Sequence, residues 1–402
     1  MVIACFFIGF YQSGAIFYGF TAIFKPIVNE FGWSYAQISL ASSLRGIEMG
    51  ILAPFLGLAV DRWGPRRIMF IGSISLSMGL LLLSRTTSLA MFYGAFTLFA
   101  LGFSCCGGIV PLTAVANWFR KRIGIATGIM ISGYGLGGLL IPLVTKLVDI
   151  LQWRTSVLIL GLGMLLVGLP LSLLVRHKPE KYGYLPDGDS SIAIVQDDGL
   201  TSILISKLNI STRQVLKSRT FRTIALAVIS QQTILMAVLT HVMPYLSTIG
   251  VTRYTSSLVA SAIPIVSIGG RLSFGWISDR FDKRFVFAAG FALINLGMLF
   301  FGYASGATML LIPFLILFGT GYGGNNTTRV SLMRAYIGQG NFGTIMGLLM
   351  GLGSIGNIVG APLAGWVFDS WGNYQPIWFV FSGLAFAAFI LILTTPPINM
   401  KH

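Results

Sequence analysis

The stretch Gly57-Leu58-Ala59-Val60-Asp61-Arg62-Trp63-Gly64-Pro65-Arg66-Arg67 comes back later in the chain as Gly275-Trp276-Ile277-Ser278-Asp279-Arg280-Phe281-Asp282-Lys283-Arg284. Asp61 and Asp279 are 218 residues apart. Each copy closes an apolar run with a small residue, an acid and a basic turn. A second pair of glycine-rich segments echoes in the two halves: Gly133-Tyr134-Gly135-Leu136-Gly137-Gly138 through Pro142, and Gly351-Leu352-Gly353 through Pro362. A chain built twice from apolar, glycine-rich helices is the pattern of a secondary transporter with internal repeats.

Composition agrees. Of 402 residues, 55% are hydrophobic and only 10% charged, against about 25% in a soluble domain. Apolar runs of spanning length read as 2–26, 35–60, 68–85, 89–117, 123–147, 154–175, 222–249, 255–278, 285–304, 308–328, 342–367 and 375–395. The expected fold is therefore all-α and membrane-embedded, with twelve helices in two pseudo-symmetric bundles. These are residues 1–175 and 222–402, joined by a hydrophilic linker at 176–221. Most of the 27 Lys and Arg fall in alternate loops, including Arg120/Lys121/Arg122, Arg329/Arg334 and the linker. The positive-inside rule then puts both termini and the linker in the cytoplasm. The net charge of +15 is explained by topology and anionic headgroups rather than by nucleic acid. Cys5, Cys105 and Cys106 have neither disulfide nor metal spacing. Met1 leads straight into an apolar run, so no cleavable signal peptide is expected. With no nucleotide loop or nucleophile constellation, neither an enzyme nor an ATP-driven pump is expected, and no cofactor or metal is called for.

The turn Gly-x-x-x-Asp-Arg-x-Gly-x-Arg-Arg resembles the signature loop of the major facilitator superfamily. The second copy departs from it, with Asp282 where the glycine belongs. Within that superfamily the chain is similar to the bacterial branch of the monocarboxylate transporter family. The likeness is carried by Phe24-x-x-Ile27-x-x-Glu30-Phe31-Gly32-Trp33-Ser34, Asn117-Trp118-Phe119-Arg120-Lys121-Arg122, Pro179-Glu180-x-Tyr182-Gly183-x-x-Pro186-Asp187-Gly188-Asp189 and His241-x-x-Pro244. The resemblance implies a multi-pass protein of the bacterial inner membrane. It also implies alternating access, a small organic anion as substrate and a coupled proton. No obligatory protein partner is evident.

Arg271 is the first candidate for substrate binding. It lies eight residues before Asp279, about 12 Å of helix from the basic turn and so near the bilayer midplane. A guanidinium at that depth is permanently charged and matches a carboxylate bidentately. No acid of the second-half spans is nearer in sequence than Asp279 or Asp369, and the equivalent first-half position is Ala53. The family places an arginine in the eighth span as carboxylate ligand. Where some members carry an acid four residues earlier, this chain has Ser267; where some have a first-span lysine, it has Tyr18. Tyr322, His241, Asn325, Asn326 and Asn357 are further lining candidates. For the proton the candidates are His241, whose imidazole titrates near neutrality, and Glu48 with Arg45 three residues before it. Asp61, Arg62, Arg66, Arg67, Asp279, Arg280 and Arg284 are expected to form gating loops. A bland alternative stands beside each: topogenic charge for the loops, packing for Tyr322, a core hydrogen bond for His241, and an internal ion pair for Arg45 and Glu48.

These residues favour proton-coupled transport of a lactate- or pyruvate-like monocarboxylate. The rivals are an oxalate/formate-type organic-anion antiporter, an exporter of hydrophobic molecules, which would not need Arg271, and a transport-dead sensor signalling through its linker.

Overall fold

The computed structural model describes residues 1–119, 123–177, 179, 216–337 and 342–396. All regular structure among them is helical. Helix α1 (Val2–Tyr11) continues through a π-helical stretch, Gln12–Tyr18, into α2 (Phe20–Phe31). Gly32, at φ 66°, ends α2, and Ser34 opens α3 (Tyr35–Trp63) with a capping box closed by Gln37. Then come α4 (Pro65–Ser84), α5 (Leu89–Cys106), α6 (Ile109–Trp118), α7 (Ile123–Leu136) and α8 (Ile141–Leu174). In the second half are α9 (Arg219–Thr248), α10 (Arg253–Arg280), α11 (Lys283–Tyr303), α12 (Leu311–Ile337), α13 (Phe342–Trp371) and α14 (Gln375–Leu393).

Among the described residues ten helical runs are long and apolar enough to cross a bilayer. One of them, Ala126–Leu174, is two helices that meet at Gln152, where the backbone turns to φ 63° and ψ 161°. Helix α3, at 29 residues, is also long enough to span. With that division and α3 the described residues supply twelve spans. Leu58, Ile71, Leu166, Leu226, Leu272, Ile312 and Val380 are exposed on these helices, as side chains facing lipid would be.

The chain divides into two compact units. The first comprises Met1–Ser191, Ala237–Ile265 and Ala361–Asp369, and the second Ile192–Met236, Val266–Gly360 and Ser370–His402. Each repeats one arrangement. In the first unit α4 packs on α5 and α8; in the second α11 packs on α12 and α14. The aromatic core of the second unit shows why the layers hold, with Phe301 stacked on Phe314 at 4.2 Å and tilted against Trp378 at 5.0 Å.

The two copies of the signature turn are built differently. Gly64 sits at φ 82°, a conformation that favours glycine, and Pro65 follows at the first position of α4. Asp282, its counterpart, sits at φ −59° and caps α11, its carboxylate accepting from the Arg284 amide at 2.9 Å. The departure from the family glycine thus exchanges a left-handed turn for an acidic N-cap.

Candidate functional site

In the second unit, glycines bring α10 and α12 into backbone contact. A Cβ on Gly323 would collide with the Ser267 carbonyl, and one on Gly270 with that of Thr320. Arg271 follows Gly270 on the flank of this contact. It is half-buried, its Nε is fully buried without a partner, and no hydrogen bond or ion pair reaches it among the described residues. A guanidinium partly withdrawn from water and left without an acid is costly unless an anion is supplied.

Helix α12 adds a polar face. Tyr322 is buried, its carbonyl 3.5 Å from Gln231 Nε2 of α9. Asn325 is fully buried against Gly290 of α11, and neither of its amide atoms has a partner. Asn357 is engaged, its Oδ1 accepting from Gln232 Nε2 at 3.3 Å. The helix also runs past the expected end of its span and takes in Arg329 and Arg334. Arg329, read from sequence as a loop cation, is in fact a buried helix residue whose Nε has no partner. Three residues that sequence reasoning missed therefore belong here: Gln231, Gln232 and Arg329. The adjacent glutamines in an apolar run were the available signal for the first two. Arg329 had a weaker one, because its first-half equivalent is Pro111.

His241 belongs to a separate arrangement in the first unit. It is fully buried, edge-on to Phe24 at 5.1 Å, and its Nε2 lies 2.9 Å from both Ser39 Oγ and the Ala361 carbonyl oxygen. Since Ser39 Oγ donates to the Tyr35 carbonyl, the imidazole N–H is shared between two acceptors. Close by, the Asp369 carboxylate accepts from the first amides of α3, Tyr35 N at 2.9 Å and Ala36 N at 2.8 Å. Thr21 Oγ donates to the Thr240 carbonyl and accepts from Met243 N. Tyr18 is buried and edge-on to Phe17. Glu48 is half-buried, with Oε2 enclosed and unpartnered. The side chains of Arg45 and Asp61 lie outside the described residues, as do residues 120–122 and most of the linker.

Among the expected gating residues, Arg62, Arg66, Arg67, Asp279 and Arg280 are exposed. Arg280 stacks over Trp276 at 3.7 Å. Arg284 pairs with Asp282 rather than Asp279, Nη2 to Oδ2 at 2.8 Å, and its Nη1 donates to the Thr395 carbonyl. Asp282 is held below the usual carboxylate range by its hydrogen bonds to Arg284.

The family profile described as Major Facilitator Superfamily matches residues 3–361. The chain belongs to the Major Facilitator Superfamily. It is thus a multi-pass membrane transporter, not an enzyme. Monocarboxylate transporter 12 of Xenopus laevis is 26% identical over 400 residues, covering 96% of this chain and 85% of the relative. An MFS-type transporter of Bacillus subtilis, YcxA, described as uncharacterized, is 25% identical, with 90% and 86% covered. Among solved structures, the nucleoside transporter NupG shares the fold at TM-score 0.78 and 13% identity, with 98% of each chain covered. A D-xylose-proton symporter does so at 0.76 and 14%, with 100% of this superfamily member and 98% of the other covered.

Proposed function

We propose that this transporter carries small organic anions of the monocarboxylate class, coupled to protons, with Arg271 as the carboxylate ligand. The observation that carries the reading is the Arg271 guanidinium, with its enclosed, unpartnered Nε and no acid beside it. The family of the relatives supports the same substrate class. Of the two proton candidates Glu48 fits better, because its Oε2 is enclosed and free while the His241 imidazole is committed to packing. In this reading His241, Asp369 and Thr21 hold one gate shut and the signature turns work the other. The protein would sit in a bacterial inner membrane with both termini cytoplasmic, on the distribution of its basic loops.

Arg329 favours a second reading. A half-buried and a buried guanidinium in one unit, neither paired with an acid among the described residues, suit a dianion, and hence exchange of the oxalate/formate type. Uptake of radiolabelled pyruvate, lactate and oxalate into proteoliposomes, with and without an inward acid gradient, separates the two. Gradient-driven pyruvate or lactate accumulation supports symport, and gradient-independent oxalate exchange supports the second reading. Glu48→Gln is expected to abolish accumulation while leaving pyruvate exchange intact. Undiminished accumulation removes Glu48 from the mechanism.

A further inference from the structure

At the end of the first unit remote from the Arg62–Arg67 turn, a cavity of about 270 Å³ opens. Helix α3 separates the two ends by 29 residues, about 43 Å. The cavity is lined by Thr21, Lys25 and Asn29 on one side and by Met243, Pro244, Ser247, Arg253 and Ser256 on the other. It lies one turn from the sealed contacts of His241 and Thr240, and its volume falls below the roughly 300–1,000 Å³ of pockets for drug-sized ligands.

Charge at this end does not balance. Among the described residues three acids are present here, and each is engaged. Glu30 takes Arg154, with Nη2 to Oε1 at 2.7 Å, and Trp153 Nε1 at 2.5 Å. Asp149 pairs with Arg253. Asp369 caps α3. Lys25, Arg85 and Lys146 are left over; Lys25, the one of them that lines the cavity, is held among the described residues by the neutral Ser247 hydroxyl, with Nζ to Oγ at 2.7 Å. Two of its ammonium protons remain unused, and the Ser247 hydroxyl, having accepted, still has its own proton to donate. Arg253 Nε is in ion-pair contact with Asp149 without a hydrogen bond, and one Nη2 proton goes to the Ala22 carbonyl, which leaves three Nη protons. Met243, Pro244 and Pro26 add apolar lining beside these donors.

We propose that this cavity is an anion-docking antechamber that takes a short-chain carboxylate outside the His241 gate. Lys25 and Arg253 hold the carboxylate and the Met243–Pro244 lining receives the alkyl end. Its ligand class rests on the organic-anion reading above; its geometry does not involve Arg271. An anion waiting here raises the local substrate concentration beside the contacts that must part for entry.

The test is acylation of the purified full-length protein by a membrane-impermeant sulfosuccinimidyl ester, read lysine by lysine by mass spectrometry. Pyruvate or propionate at several times its Kd is expected to slow labelling of Lys25 about fivefold. Lys146, exposed at the same end, serves as the control and should be unaffected. The protection should persist in Arg271→Ala, which separates failure of this site from failure of the central one. Equal labelling with and without carboxylate overturns the proposal. Protection by inorganic phosphate but not by pyruvate or propionate also overturns it, because the cavity would then be a phosphate or headgroup site. In uptake from the cavity side, Lys25→Met should raise KM about tenfold at unchanged kcat, as expected for loss of one charged contact, and Lys25→Arg should restore it. An unchanged KM in Lys25→Met overturns the assignment of Lys25.

Discussion

Arg154 and Arg271 are both helix arginines at partly buried positions, and they differ in every other respect. Arg154 donates through Nε and Nη2 to Glu30, through Nη1 to the Ser84 carbonyl and through Nη2 to the Thr86 carbonyl, while its plane lies 4.7 Å from the Trp153 ring. The chain even adopts an unfavourable backbone conformation at Gln152, immediately before Trp153 and Arg154, where those two side chains begin to reach Glu30. Arg271 has none of this. Where this protein uses Arg154 to hold itself together, it completes the hydrogen bonding; at Arg271 the hydrogen bonding is left incomplete.

The largest expected effect would break that contrast. Arg271→Ala should lower organic-anion transport at least about 100-fold, the scale of losing a buried charge pair, with little change in thermal stability. Arg154→Met should do the reverse, losing about 2 kcal/mol and a few degrees of Tm while transport per folded molecule persists. If Arg271→Ala transports at the wild-type rate, or Arg154→Met alone abolishes transport, the two arginines are misassigned. A smaller effect sharpens the comparison. Gln152→Gly relieves the φ 63° strain and should stabilise the protein by about 1 kcal/mol, measured as Tm, and a drop in Tm would show that the turn is unstrained.

The smallest effect concerns Arg284, which lies between the extremes, paired with an exposed Asp282. Asp282 is depressed by its hydrogen bonds to Arg284, so its contribution is present above the unfolded aspartate value of about 3.9 and fades as pH falls through the lower folded value. Asp282→Asn should therefore cost a little stability at pH 6 and nothing once the pH is below both values. A deficit that stays constant across that range would assign the effect to the cap alone.

Much of this was legible in the sequence, and the unread part has a common cause. The repeated turn and the apolar runs identify the helices because hydropathy and turn chemistry act locally. The end of α12 was misplaced because Arg329 and Arg334 read as loop cations beyond a span ending at 328, whereas in the fold both are helical and Arg329 is buried. The partners of Lys25, Arg154, Asp369 and Asn357 lie 334 residues away in the extreme case, and helical periodicity shows which face a residue is on but not what that face meets. Asp282 could be seen as a departure from the family turn, but its cap needed the backbone angle at that position.

One feature of the core has a use at the bench. Cys5, Cys105 and Cys106 are all the cysteines of the chain, and all three are buried; Cys106 Sγ lies 3.5 Å from Ser73 Oγ. Water-soluble maleimides and spin labels therefore meet a protein that is bare of reactive thiols. A single cysteine placed beside Lys25 or near Arg284 would report on its own surroundings against the natural background, with no native cysteine to remove first.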